Sequence, residues 1–169
     1  MSQNTNQDIH SSRAPEPVGP YPHAKRAGDF VYLSGVGPRQ RGSVIIPGVD
    51  PFDFETQCRA CFQNTRMIVE DAGLPWSSVL DITVFLTNMK RDFATYNRIY
   101  AEFFAGDGNP NPTRTTLEIV SLPTPIAVET KVVLDRRALV FSIHSIVRSA
   151  ARTGLPSKPS SARGSAHNS

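Results

Sequence analysis

The sequence predicts an α+β fold in which two long helices cover one face of a sheet. Residues 53–72 and 92–104 carry apolar side chains at three- and four-residue steps, the period of a helix with one buried stripe. Short runs rich in β-branched and aromatic residues precede, separate and follow these stretches. The runs are apolar on both alternations, with Ile82, Val84 and Leu86 set against Phe85, and Val128 and Val132 set against Val133. The sheet face away from the helices is therefore expected to be buried as well, in an oligomer.

Residues 1–13 are polar and are expected to be disordered. Phe30 to Gly35 reads as a strand, introduced by the turn signal Ala27-Gly28-Asp29 and ended by glycine. Gly42 to Pro47 reads as a second strand, stopped by proline. The first helix takes its start signal from Asp50-Pro51, buries Phe54, Cys58, Cys61, Phe62 and Ile68, and stops at Gly73. Val79 to Leu86 is a strand. The second helix, from about Asp92, carries Phe93, Tyr96, Tyr100, Phe103 and Phe104 as an apolar stripe, read as core rather than as a ligand cage. After the loop Asp107 to Pro112 come strands at Thr115–Val120 and Ile126–Leu134, joined by Leu122-Pro123-Thr124-Pro125. Strands clustered in this way are expected to pair antiparallel, as one sandwich layer.

The folded domain is placed at residues 14–136. Residues 137–169 form a tail rich in Pro, Ser, Gly and Ala, too poor in apolar surface to offset chain entropy, and expected to be disordered or loosely packed. The net charge of +3 belongs to that tail. Residues 14–136 hold 12 Lys+Arg and 14 Asp+Glu, hence −2, whereas residues 137–169 hold five basic residues and no acid, hence +5. A slightly acidic domain lacks the footprint that drives binding to a phosphate backbone, so no nucleic-acid partner is expected. No apolar run reaches the ~20 residues that span a bilayer, and the N-terminus lacks the pattern of a signal peptide. The cytoplasm is the expected compartment and no membrane partner is expected. Cys58 and Cys61 sit inside a helical pattern and are read as core. His23 is the one histidine within residues 14–136, so a metal site is not expected.

The chemistry-bearing pair is Arg114 and Glu129, at the starts of the last two strands. On neighbouring strands a guanidinium and a carboxylate can share one small pocket. There the arginine forks onto a substrate carboxylate and the glutamate positions and deprotonates a water. The alternative is a structural ion pair on a sheet.

Five ordered segments resemble the Rid family, the reactive intermediate deaminases also called YjgF-like proteins. Gly19-Pro20-Tyr21-Pro22-His23-Ala24 resembles the family's G-P-Y-S-Q-A, and Val31-Tyr32-Leu33-Ser34-Gly35 its strand ending in S-G. Residues 81–89 and 92–97 resemble T-V-F-L-x-D-M-x-D-F-A-x-V-N, while Pro112-Thr113-Arg114 and Val128-Glu129 resemble P-A-R and I-E. The resemblance implies a chorismate-mutase-like mixed sheet, and a homotrimer with three clefts between subunits. It also implies no cofactor and a small carboxylate as substrate. Carried over by position, the cleft residues are Tyr21, Ser34, Gly35, Asn97, Arg114 and Glu129. The chain departs from the family at Thr116, where many members have cysteine, at Pro22-His23, and in the basic turn from Val36 to Arg41.

These departures point to a specialised substrate, and the segment Tyr21 to Phe30, followed by Ser34-Gly35 and an arginine-rich turn, resembles the 2-aminomuconate deaminase branch. The activity implied is hydrolysis of an enamine or imine to the oxo acid and ammonia. The basic turn offers Arg39 or Arg41, and more weakly His23, to meet a second carboxylate, the alternative being a solvated loop charge. The alternatives are a general 2-iminopropionate deaminase, an RNA-cleaving translation inhibitor, or a trimer that binds small carboxylates without turnover.

Overall fold

The computed structural model describes residues 6–138. Along them run β1 (Gln7–Ile9), β2 (Ala24–Ala27), β3 (Phe30–Leu33), α1 (Phe54–Asp71), a 3₁₀ turn (Trp76–Ser78), β4 (Val79–Leu86), α2 (Met89–Phe104), β5 (Thr113–Glu118) and β6 (Val128–Asp135). They form one six-stranded sheet in the order β1-β2-β3-β6-β4-β5. Every pairing is antiparallel except β4 with β5, which is parallel because α2 carries the chain back to the starting end before β5 begins. The sheet is therefore mixed, as the family resemblance implies, and not purely antiparallel as the clustering of strands alone suggests.

Local signals set the helix ends. Asp53 caps α1 by accepting from Thr56 N, and Asn88 caps α2 by accepting from Arg91 N at 2.9 Å. Gly73, at φ +74°, ends α1. Its amide bonds to Glu70 O at 2.9 Å and that of Leu74 to Val69 O at 3.2 Å, the paired bonds of a Schellman stop. The Asn88 cap starts α2 at Met89, three residues before the expected Asp92.

Both helices lie on the face lined by Val31, Leu33, Ile82, Val84, Val132 and Leu134, all of them buried. The helical aromatics close this core, with the Phe62 ring edge-on to Phe104 at 5.0 Å and Trp76 Nε1 donating to Phe103 O at 2.8 Å. On the opposite face the register aligns Glu129 with Phe85 and Leu117, and Tyr32 with Val133. Tyr32 and Leu117 are 43% and 45% exposed there. No helix among the described residues is long and apolar enough to cross a membrane.

The expected strand Gly42–Pro47 is a loop. Gly42 and Gly48 take φ of +70° and +69°, and Val44 and Ile45 point into solvent at 99% and 73% exposure, so an apolar run is present without a partner strand. Residues 6–13, expected to be loose, include β1, which pairs with β2. In β2 itself, Lys25-Arg26 hides the strand pattern. Of the expected tail, residues 139–169 lie outside the described residues.

Candidate active site

Glu129 sits near the start of β6, facing away from the helices. Beside it the chain from Ser34 to Gly37 runs antiparallel to β6, held by reciprocal bonds of 2.9 Å between Val36 and Thr130. This places Gly35 directly against the Glu129 carboxylate. A Cβ at position 35 would lie 2.5 Å from Oε1 and 2.8 Å from Cδ. Only glycine leaves room, and its backbone amide stays open to a ligand's approach. The carboxylate is half-buried, and burial pushes its pKa up from the ordinary glutamate value. It has no hydrogen-bond or ion-pair partner among the described residues. Gly35→Ala is expected to displace this carboxylate while leaving the fold intact. Its structure should show the carboxylate shifted with an unchanged melting temperature, and an unmoved carboxylate would show that the contact is dispensable.

A cavity of about 160 Å³ opens over Glu129, with Tyr21, Ser34, Gly35, Arg39 and Pro15–Val18 among its walls. Ser34 Oγ donates to Pro22 O at 2.6 Å, fixing the turn that carries Tyr21, a residue 41% exposed.

Arg114 belongs to a second cluster. It lies inside β5, two residues into a strand that begins at Thr113 rather than at Thr115, on the sheet's outer edge. Its Nη1 donates to Asn97 Oδ1 at 2.9 Å, and its guanidinium lies 4.6 Å above the Tyr100 ring centroid and 5.6 Å from that of Tyr96. Thr116 Oγ1 and Tyr96 Oη are 2.9 Å apart. Burial pushes the Tyr100 phenol up to about 12, so it stays protonated across the physiological range. Asn97 thus orients the arginine through its side-chain oxygen.

Within one chain the two clusters do not meet. β4 separates β5 from β6, so Arg114 and Glu129 are not on neighbouring strands. Arg114 aligns through Ile82 with Val132, three residues from Glu129, and an odd offset turns the two side chains to opposite faces. Sequence reasoning saw the two residues but not the barrier between them. It also read Tyr96 and Tyr100 only as core, although their i,i+4 spacing beside Asn97 is the available sign of an aromatic shelf.

His23 lines the cavity, but it is buried and both ring nitrogens are engaged, Nδ1 accepting from Ser11 N at 3.1 Å and Nε2 donating to Pro15 O at 2.9 Å. The expectation for Arg41 is corrected. Arg41 is not among the cavity walls, and its guanidinium donates to Ala14 O at 2.9 Å and pairs with Glu16 at 3.0 Å. Arg39 does line the cavity. Cys58 and Cys61 are buried and unlinked. Burial raises both thiols, Cys61 to about 12, which leaves neither as a nucleophile. Among the described residues no group of His, Cys, Asp and Glu is arranged to hold a metal.

The family model described as Endoribonuclease L-PSP matches residues 11–134, most of the chain. The chain belongs to the Rid/YjgF-like family. Among its relatives in the Rid/YjgF-like family is TdcF of Escherichia coli K12, which bears the name of a reactive intermediate deaminase. It is 33% identical over 132 residues, which cover 77% of this chain and 97% of TdcF. A RutC family protein of Pyrococcus horikoshii is 35% identical over 122 residues, 72% of this chain and 90% of its own. The crystal structure of E. coli TdcF with bound serine superposes at a TM-score of 0.70 and 32% identity, covering 77% of this chain and 98% of that one. That of the E. coli YjgF gene product gives 0.70 and 30%, covering 78% and 99%. The Rid/YjgF-like match begins at Ser11, so the segment that walls the cavity belongs to the family domain.

Proposed function

We propose that this chain is a Rid-type deaminase that assembles as a homotrimer, each cleft joining the Glu129 cluster of one copy to the Arg114 cluster of the next. The observation that carries this reading is the Glu129 carboxylate, half-buried, unpaired among the described residues and seated against Gly35 in an open cavity. An unpaired buried carboxylate costs stability, and its use is as a base poised at a raised pKa. The half-exposed Tyr32 and Leu117 supply a face for a second copy. The serine bound by TdcF, a relative of the same fold, supports a small amino or imino acid as ligand.

In this mechanism Arg114, aligned by Asn97 and Tyr100, forks onto the substrate carboxylate. The enamine takes a proton at carbon to give the protonated imine. Water adds to the imine carbon while Glu129 accepts its proton. The carbinolamine nitrogen then takes that proton and leaves as ammonia, the carbon–oxygen double bond forming as the carbon–nitrogen bond breaks and the hydroxyl proton passes to the freed Glu129 carboxylate. The Gly35 amide approaches the reacting centre, Tyr21 shields it or donates a proton, and Ser34 and Thr116 hold their neighbours in place. The substrate carries its own electron sink, so the proposed route uses no cofactor.

Our choice of substrate is 2-aminomuconate, a dicarboxylate, with Arg39 meeting the second acid group from the cavity wall. A ribonuclease reading is less favoured. The −2 domain charge and the engaged ring of His23 both count against it. The test is ammonia release from 2-aminomuconate and 2-iminopropionate side by side, with Arg114→Ala as the blank. Release above the blank is expected from both. Arg39→Ala is expected to raise KM for the dicarboxylate by about tenfold or more and to leave 2-iminopropionate within about twofold. Equal effects on the two substrates would remove the dicarboxylate assignment, and release no faster than the blank would remove the deaminase.

A further inference from the structure

The cavity wall opposite β6 is made by the strap from Ser11 to Val18, of which Pro15–Val18 face the cavity. It contains no helix or strand, so side-chain bonds from elsewhere hold it. Arg41 is the main fastener. Its Nη1 donates to Ala14 O at 2.9 Å and more weakly to Ser11 O at 3.4 Å, while its Nη2 pairs with the Glu16 carboxylate at 3.0 Å. His23 ties the same segment through Ser11 N and Pro15 O. Asp71 ties its start, accepting from Ser11 Oγ at 2.6 Å and from Arg13 Nε at 2.7 Å. The turn that carries Arg41 is itself fixed, because Asn64 Nδ2 donates to Gly37 O at 2.9 Å and Arg39 O at 2.7 Å. Arg39 then touches the strap from inside the cavity, donating from Nη2 to Glu16 O.

The two arginines of the basic turn thus divide the work, one facing the cavity and the other holding the wall. We propose that Arg41 is a positioning residue for substrate choice: through Glu16 and the strap it fixes the far end of the cavity and the orientation of Arg39, and so selects ligands long enough to carry a second acid group there. This rests on the reading that substrate occupies the Glu129 cavity. His23 assists, and its replacement of the family's glutamine fits the role, since neutral imidazole and amide each offer one acceptor and one donor.

The test uses the full chain and two stable oxo acids, 2-oxoadipate and pyruvate, with binding followed by titration calorimetry and amide exchange followed over residues 11–18. Arg41→Ala is expected to weaken 2-oxoadipate by about tenfold while pyruvate stays within about twofold, as for loss of one oriented charged anchor. Exchange of the strap amides should rise in the same variant. Arg41→Lys, a point charge that does not fork across carbonyl and carboxylate, should fall between, and His23→Gln should bind both acids as the parent does. Equal weakening of both acids by Arg41→Ala, or unchanged strap exchange, overturns the proposal. The binding ratio is read without turnover, so failure of ammonia release counts against the deaminase reading alone.

Discussion

Glu129→Gln is expected to lower ammonia release by about 10²–10⁴-fold, the usual contribution of a positioned general base. Binding of a stable oxo acid should change little, because glutamine keeps the shape against Gly35. The parent's kcat/KM should rise with pH along a limb set by Glu129. That limb should lie above the ordinary glutamate value, since burial favours the protonated form. In the glutamine variant the limb should vanish. A variant that keeps it, or keeps its rate, would place the base elsewhere. Stability carries the opposite sign. Between its unfolded and folded pKa values Glu129 binds more protons in the folded chain, so its contribution is present at low pH and is lost as pH rises through the folded value. At neutral pH the ionised group opposes folding, and Glu129→Gln is expected to melt higher than the parent while doing less chemistry. A lower melting point would mean that the carboxylate has a partner in the assembled protein.

Arg114→Ala is expected to cost about 2–5 kcal/mol in binding of a carboxylate ligand, the range for truncating one side of a desolvated charge pair. Its more informative use is in mixture. Arg114→Ala and Glu129→Gln are each expected to be near background alone. If each cleft takes one cluster from each of two adjacent copies, co-assembled equal amounts recover about a quarter of the clefts intact, because half the copies supply each sound cluster. Recovery of ammonia release to about that level supports the divided site. Background activity from the mixture, with mixed oligomers verified by mass, would mean that both residues must come from one chain. The strand order and side-chain parity give no route to that arrangement.

Much of this was legible in the sequence where one signal has one meaning. The α1 stripe ends at Gly73 as expected, since a glycine after a helical period has a single strong use. β4 and β6 announce themselves through β-branched runs. Ambiguity begins where one signal serves two purposes. Val44-Ile45-Ile46 has a strand's composition, but a strand needs a partner, and composition does not show pairing. Lys25-Arg26 conceals β2 because Lys25 is exposed and Arg26, opposite Val31, puts a charged side chain where a strand pattern leads one to expect an apolar one. Tyr100 carries the same periodic mark whether it fills the core or supports a guanidinium. The placement of Arg114 and Glu129 was the least legible of all, since it depends on β5 pairing parallel beyond β4, a long-range register with no local trace.

Thr116 has a chemical consequence of its own. Many relatives carry a sulfur at this position, and a thiolate there would add to the double bonds of any conjugated acid that the cleft admits. A threonine hydroxyl ionises far less readily and does not add in this way. With Cys58 and Cys61 shut inside the core, the surfaces around both clusters offer no soft nucleophile to an unsaturated ligand. An electrophilic ligand at either cluster would therefore meet no thiol.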